Sequence, residues 1–333
     1  MSNFITNLKN DLQGKRVKIV FPEGIDKRIL TAAVWHLKDS YVHPIVLGDK
    51  EKIQELAKEE NLNIDKLEII DPSNSDMAES LAEEFKKVRD GKVTGEQAEE
   101  IISNNVNYFG TMLVHTGYAS GLVSGAMHST PDTVRPALQI IKTKEGVSKT
   151  SGIFFMRRDS ELYVMGDCAI NPSLNAEELA EVAVETAKTT QSFGIEPRVA
   201  LLSFSSKGSA KTEEAEKIRL ATEYAQNKLP EVMIDGELQF DAAFVPSVAE
   251  KKSPKSPLKG QANVFIFPSL DAGNIGYKIA QRLGGFEAYG PILQGLRKPV
   301  NDLSRGTTTE EVYNLALFTA TQVVANREAQ NDD

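Results

Sequence analysis

The strongest constraint on what this chain can fold into is a regular alternation of short apolar runs with longer helix-patterned segments. Val17–Phe21 is the first such run, and Asp26–Lys38 follows it with helical spacing. Pro44–Gly48 and Lys66–Asp71 repeat the unit, each leading into a charged amphipathic stretch. Gly121–Gly125, Arg198–Ser205, Asn263–Phe267 and Pro291–Leu296 add further strand candidates. Short apolar strands separated by helices belong to a mostly parallel sheet covered on both faces. Phe154–Arg158 and Glu161–Met165 break the rule. Only Asp159 and Ser160 separate them, the spacing of a hairpin, which predicts an antiparallel component. The expected class is α/β.

Length then sets the organisation. The 333 residues exceed one ordinary domain, and two α/β domains are expected. The Gly, Ser and Lys content of Gly146–Gly152 marks a domain break. Asn175 followed by Glu178 reads as a capping box that starts a helix, and Gly194 stops it after Phe193. Lys251–Lys259, with two prolines, reads as a loop whose lysines are solvated. Nothing approaches eighteen consecutive apolar residues, and the chain starts with a polar amphipathic stretch, so neither a membrane span nor a signal-peptide core is expected. The single cysteine, Cys168, cannot close an internal disulfide, and a cytoplasmic location is the simplest expectation.

Charge and motifs exclude several chemistries. A net charge of −9 argues against general binding to nucleic acid or a membrane surface. A phosphate-bearing substrate would need locally placed arginines and backbone amides. There is no G-x-G-x-x-G after a strand, no G-x-x-x-x-G-K-[ST] and no G-x-S-x-G elbow. The four histidines, His36, His43, His115 and His128, are scattered without cysteine partners, so no metal site is expected. Cys168 reads as a small buried hydrophobe, with an acyl-carrying nucleophile as the alternative.

Two helix starts carry the phosphate-binding chemistry. In GLVSGAMHSTPDTVRPALQIIKT an apolar strand passes into a helix that Ser129 or Thr130 would cap, with Pro131 suited to the first turn. Free N–H groups and the helix dipole attract anions there, and Arg135 lies one turn inside. An ordinary capped helix with a solvated arginine is the alternative. In VNDLSRGTTTEEVYNLALFTATQVV, Val312, Leu315, Ala316, Thr319 and Val323 share one helical face. Ser304 and Arg305 stand just before that helix, with Gly306 permitting close approach of a ligand. A planar guanidinium matches phosphate or a developing oxyanion. Thr308 and Glu311 have capping-box spacing, so a purely structural Glu311 stands beside a catalytic one. A third turn, Asp271 to Gly276, would wrap a ligand or merely cap a helix through Asp271 or Asn274, and the cap is the expectation.

Taken together, MGDCAINP, SFSSKGSAK, IDGELQFDAAFVP, NVFIFPSLDAGNIGYKIAQRLGGFEAYGPILQGL and PVNDLSRG are similar to the phosphate acetyltransferase family, over essentially the whole chain. The wider family includes phosphate butyryltransferases and an acyl-CoA-sensing part of some malic enzymes. The resemblance implies two domains of the isocitrate/isopropylmalate dehydrogenase type with the active-site cleft between them. It implies that residues 1–145 and 297–333 form the first domain and 146–296 the second, with the second domain in a homodimer interface. It also implies reversible acetyl transfer between coenzyme A and phosphate by direct thiolate attack on acetyl phosphate. Coenzyme A is then a substrate, and no metal or tightly bound cofactor is expected. By motif, Ser304 and Arg305 match the pair at the reacting centre, and Arg89 and Arg135 match substrate-binding arginines. Ser129 and Thr130, from the helix start and not from the motif, are further substrate-binding candidates. Glu311 stands where many relatives carry aspartate, the residue proposed as base. A butyryl transferase, a sensing module and a dehydrogenase of related fold are the rival readings. The dehydrogenase leaves the Ser304–Arg305 cluster unexplained.

Overall fold

The computed structural model describes residues 4–331. Eleven strands are formed among the described residues. In chain order they are β1 (Val17–Phe21), β2 (Val42–Leu47), β3 (Glu68–Ile70), β4 (Gly121–Ser124), β5 (Ser151–Arg158), β6 (Glu161–Gly166), β7 (Arg198–Leu202), β8 (Met233–Leu238), β9 (Val264–Ile266), β10 (Glu287–Gln294) and β11 (Val300–Asp302). The chain divides into two units, Met1–Lys144 with Leu296–Asp333, and Glu145–Gly295.

The first unit holds a five-stranded sheet in the order β11-β4-β1-β2-β3, with every pairing parallel. Val17, Ile19, Val20 and Phe21 of β1 are fully buried, as befits a strand covered on both faces. Each such side chain contributes about 1.5–3 kcal/mol of burial. The helix Lys27–Asp39 and the final helix, Thr309–Asn331, pack together. His36 seals that contact, stacking on Tyr313 at 4.0 Å between ring centroids and placing Nε2 3.0 Å from the Tyr313 carbonyl. Burial drives its pKa down to about 3, so the ring is neutral and structural.

The second unit holds a six-stranded mixed sheet in the order β10-β5-β6-β9-β7-β8. The β5–β6 hairpin and the β5–β10 pair are antiparallel, while β6, β9, β7 and β8 run parallel. The hairpin read from Asp159 and Ser160 is present. The helix Ala176–Ser192 begins at the Asn175–Glu178 capping box, with reciprocal bonds of 2.9 and 3.0 Å, and Gly194 follows it in the left-handed region at φ +73°. Among the described residues no helix is long and apolar enough to cross a membrane.

Two local expectations need correcting. Lys251 and Lys252 are not loop: they finish the helix Pro246–Lys252, and Lys252 Nζ bonds Asp241 and Gln239 at 2.8 and 2.9 Å. The proline that matters there is Pro246, well placed at a helix start. The helix Leu270–Arg282 is capped by Ser269, not by Asp271 or Asn274. Its Gly273 is a packing residue, since a Cβ there would stand 2.5 Å from the Asp167 carbonyl oxygen. Asn274 instead donates to the Cys168 carbonyl at 3.1 Å. Cys168 is fully buried among Phe154, Met156 and Met165, and burial, with Asp167 nearby, pushes its thiol well above the ordinary range. That is the environment of a small packed hydrophobe and not of an activated thiol.

Candidate active site

In an open parallel sheet the crevice for ligands lies beyond the carboxyl ends of the strands, where the direction of winding reverses. In the first unit that point falls between β1 and β4: the chain runs outward through β2 and β3, then returns to the other side of β1. Three loops leave the sheet here, after Phe21, after Ser124 and after Asp302. They carry Ser129, Ser304 and Arg305, and two of them lead into the helices that carry Thr130, Arg135 and Glu311.

The loop after β4 is built around a buried carboxylate. Glu23, only 2% exposed, accepts the backbone N–H groups of Gly125, Ala126, Met127 and His128 at 2.8–3.0 Å. The Nδ1 of His128 lies 2.7 Å from Glu23 Oε1. Burial alone would raise the Glu23 pKa, but the His128 bond and the backbone amides outweigh it and hold the carboxyl below its usual range. The charge is thereby tolerated inside the protein. Gly125 makes the geometry possible: it sits at φ +116°, and a Cβ would stand 2.5 Å from Asp302 Oδ1.

Asp302 ties the third loop to the second. Its Oδ2 accepts from Thr130 Oγ1 at 2.6 Å, and Oδ1 is buried without a partner. Burial lifts its pKa to about 6, against the opposing bond from Thr130. Arg28, at the start of the Lys27 helix, closes the cluster. It grips Asp26 through Nε and Nη2 at 3.0 and 2.7 Å, and donates to the carbonyls of Ala126 (2.8 Å), Arg305 (2.8 Å) and Thr307 (3.0 Å). One guanidinium therefore fixes both catalytic-loop candidates by their backbones.

The side chains expected at the site fall into occupied and free groups. Arg305 is exposed, and its guanidinium makes no hydrogen bond or ion pair among the described residues, while its own carbonyl is pinned by Arg28. Ser304 is exposed beside it, with Oγ accepting only a long bond from the Gly306 N–H, 3.3 Å. Arg135 is exposed and Arg89 half-buried, the latter with an Nε lacking any partner. Both act on Tyr108: burial raises its pKa, and the charges of Arg135 and Arg89 oppose that rise. The two arginines thus both lie near Tyr108, although they are 46 residues apart in sequence. Ser129 and Thr130, in contrast, are occupied. Ser129 Oγ donates to Asp132 at 2.5 Å, and Thr130 to Asp302. The short helix Thr130–Pro136 has its own Asp132 at its mouth, so the anion-binding capacity here rests on Arg135 and not on free amides.

Glu311 has the cap geometry. Its Oε2 accepts from Thr308 N–H at 2.8 Å and Thr307 Oγ1 at 3.2 Å, while its own N–H donates to Thr308 Oγ1 at 3.2 Å. Glu311→Gln keeps these acceptors and is expected to leave turnover within about threefold, because loss of a true general base costs about 10²–10⁴-fold. Glu311→Ala should lower stability by about 1 kcal/mol in a denaturant titration through loss of the cap. A hundredfold fall in Glu311→Gln turnover would instead make it a base.

Sequence reasoning missed Glu23, Arg28, His128 and Asp302. The one available signal was position: each follows the carboxyl end of a strand or closes it. A separate groove beside β2 and β3 is lined by Asp49, Glu51, Glu68, Asp71 and Asp76, and its sign is wrong for a phosphate.

Comparison with known proteins converges on one family. Residues 3–320 match the family model described as phosphate acetyl/butaryl transferase. The phosphate acetyltransferase of Staphylococcus epidermidis is 60% identical over 329 residues, 97% of this chain and all of that protein. Among solved structures, the EutD phosphotransacetylase from Staphylococcus aureus is 60% identical with a TM-score of 0.92, covering 96% of this chain and 98% of that one. A phosphotransacetylase from Streptococcus pyogenes is 53% identical with a TM-score of 0.93, over the same shares of the two chains.

Proposed function

The chain belongs to the phosphate acetyl/butaryl transferase family, and from that premise we infer its reaction and the residues that perform it. It is an acyltransferase that moves an acetyl group reversibly between coenzyme A and inorganic phosphate. The observation that carries this reading is full-length identity of 60% to phosphate acetyltransferases, with no part of their length left unmatched. The assay is thioester formation from coenzyme A and acetyl phosphate, run alongside propionyl and butyryl phosphate. The acetyl substrate is expected to give the highest kcat/KM. Preference for butyryl phosphate would move the chain to the other branch of its family.

The proposed mechanism is a ternary complex in which the coenzyme A sulfur attacks the carbonyl carbon of acetyl phosphate and phosphate departs. Arg305, with Ser304 beside it, faces the negative charge that builds on the carbonyl and phosphate oxygens. The support is its combination of a pinned backbone and an unpartnered guanidinium. A preorganised donor of that kind is worth about 2.7–4 kcal/mol in the barrier. Arg89 and Arg135 bind the phosphates of coenzyme A, whose charge is the same in ground and transition states. Ser129 and Thr130 shape the loop beneath the substrate through Asp132 and Asp302. Coenzyme A enters as a substrate, with no resident cofactor in this scheme. A cytoplasmic location accords with the lone, buried Cys168.

We assign the two units to the isocitrate/isopropylmalate dehydrogenase type, a reading supported by the antiparallel edge of the second sheet and the return of β11 to the first. The proposed homodimer uses the second unit. Ile275, Ile279 and Leu283, spaced by four and 58%, 53% and 85% exposed, form an apolar stripe suited to a second copy. Ile279→Asp is expected to give a monomer by light scattering. An unchanged dimer would place the interface elsewhere.

A further inference from the structure

We propose that His128, held by Glu23, is the proton carrier of the reaction. This rests on the acetyl-transfer reading above. Three observations carry it. The Glu23 carboxylate binds the Nδ1 edge of the imidazole at 2.7 Å and the His128 N–H at 2.8 Å, which fixes both the ring and its loop. With Nδ1–H donated to a carboxylate, the basic lone pair is on Nε2, which has no protein partner among the described residues. The side chain is 37% exposed beside the Thr130 helix, on the loop that Arg28 links to Arg305. A buried carboxylate orienting an accessible imidazole is the arrangement that supports proton transfer to and from a nucleophile.

The chemistry balances without another reactant. His128 Nε2 takes the thiol proton as the C–S bond forms. The bond from carbonyl carbon to phosphate oxygen breaks, and the imidazolium gives its proton to the departing phosphate, which leaves as the hydrogen phosphate ion. In reverse, phosphate gives up the proton and the thiolate leaving group recovers it. Proton affinity favours the imidazole over a carboxylate here. An ordinary imidazole falls short of a thiol by about two powers of ten, an ordinary carboxylate by about four. The Glu23 bond, against burial, raises the imidazole further, with Glu23 and Asp132 adding negative charge. Arg28 and Asp302 act on the pair through Glu23. Glu311, held in its cap, is poorly placed for the same work.

The test compares His128→Gln and Glu311→Gln in thioester formation across pH, with melting temperature and coenzyme A affinity measured in parallel. His128→Gln is expected to lose about 10²–10⁴-fold in kcat. It should bind coenzyme A as the parent does, regain rate toward pH 9 as the thiol ionises unaided, and respond to added imidazole. The parent's acidic limb should vanish from its profile. If His128→Gln retains kcat within threefold, or loses rate with the parent's pH profile intact, the proposal is overturned. If the parent itself forms no thioester, the acetyl-transfer reading has failed instead.

Discussion

Arg305→Ala is expected to lower kcat by about 10²–10³-fold while the melting temperature stays within about 2 °C of the parent. The two halves of that expectation come from different atoms of one residue. The guanidinium is exposed and unbonded among the described residues, so its removal leaves no buried group there unsatisfied. The carbonyl that holds the turn in place remains, and Arg28 still binds it at 2.8 Å. The turn therefore survives and only the charge facing the reacting centre is lost. Arg305→Lys should recover little, because a point charge on a flexible stem does not reproduce a planar fork. Turnover near that of the parent would remove Arg305 from the reaction.

Arg28→Ala should behave in the opposite way, with stability and turnover failing together. Its guanidinium satisfies Asp26 and three backbone carbonyls from segments almost 100 and 280 residues distant. Removing one partner of a half-buried, charge-assisted cluster costs about 3 kcal/mol or more. The Ser304–Thr307 turn and the Ala126 carbonyl would also lose their shared anchor. A misplacement of about 1 Å at a reacting group is enough to cost about 10²-fold in rate. Thermal melting and steady-state kinetics together decide the matter. A variant with full stability and full activity would show that the loops hold their positions without it.

The contrast between these residues also explains which parts of the molecule are legible in the sequence. Strands whose buried residues are apolar, such as β1 and β7, are plain there. β8 and β11 are not, because buried polar residues interrupt them: Asp235 in β8, paired with Lys207, and Asn301 and Asp302 in β11. Asn301 is satisfied by Thr319 and Gln322 of the final helix at 2.8 and 2.7 Å, partners that no local pattern announces. The same holds for the site. Ser304 and Arg305 stand out because a hydroxyl and a guanidinium sit side by side just before a helix start, next to a glycine. Glu23 and Arg28 do not, since their meaning lies in contacts with loops far along the chain. Arg89 is legible only through family resemblance, and only the fold places it with Arg135 beside Tyr108.

The central claim is that the loops after β1, β4 and β11 hold a free Arg305 guanidinium against the group being transferred. A crystal structure with coenzyme A and phosphate bound addresses it most directly. The phosphate should lie within hydrogen-bonding distance of Arg305, next to Ser304 and the Nε2 edge of His128. A phosphate bound elsewhere, with Arg305 turned into solvent, would contradict the account.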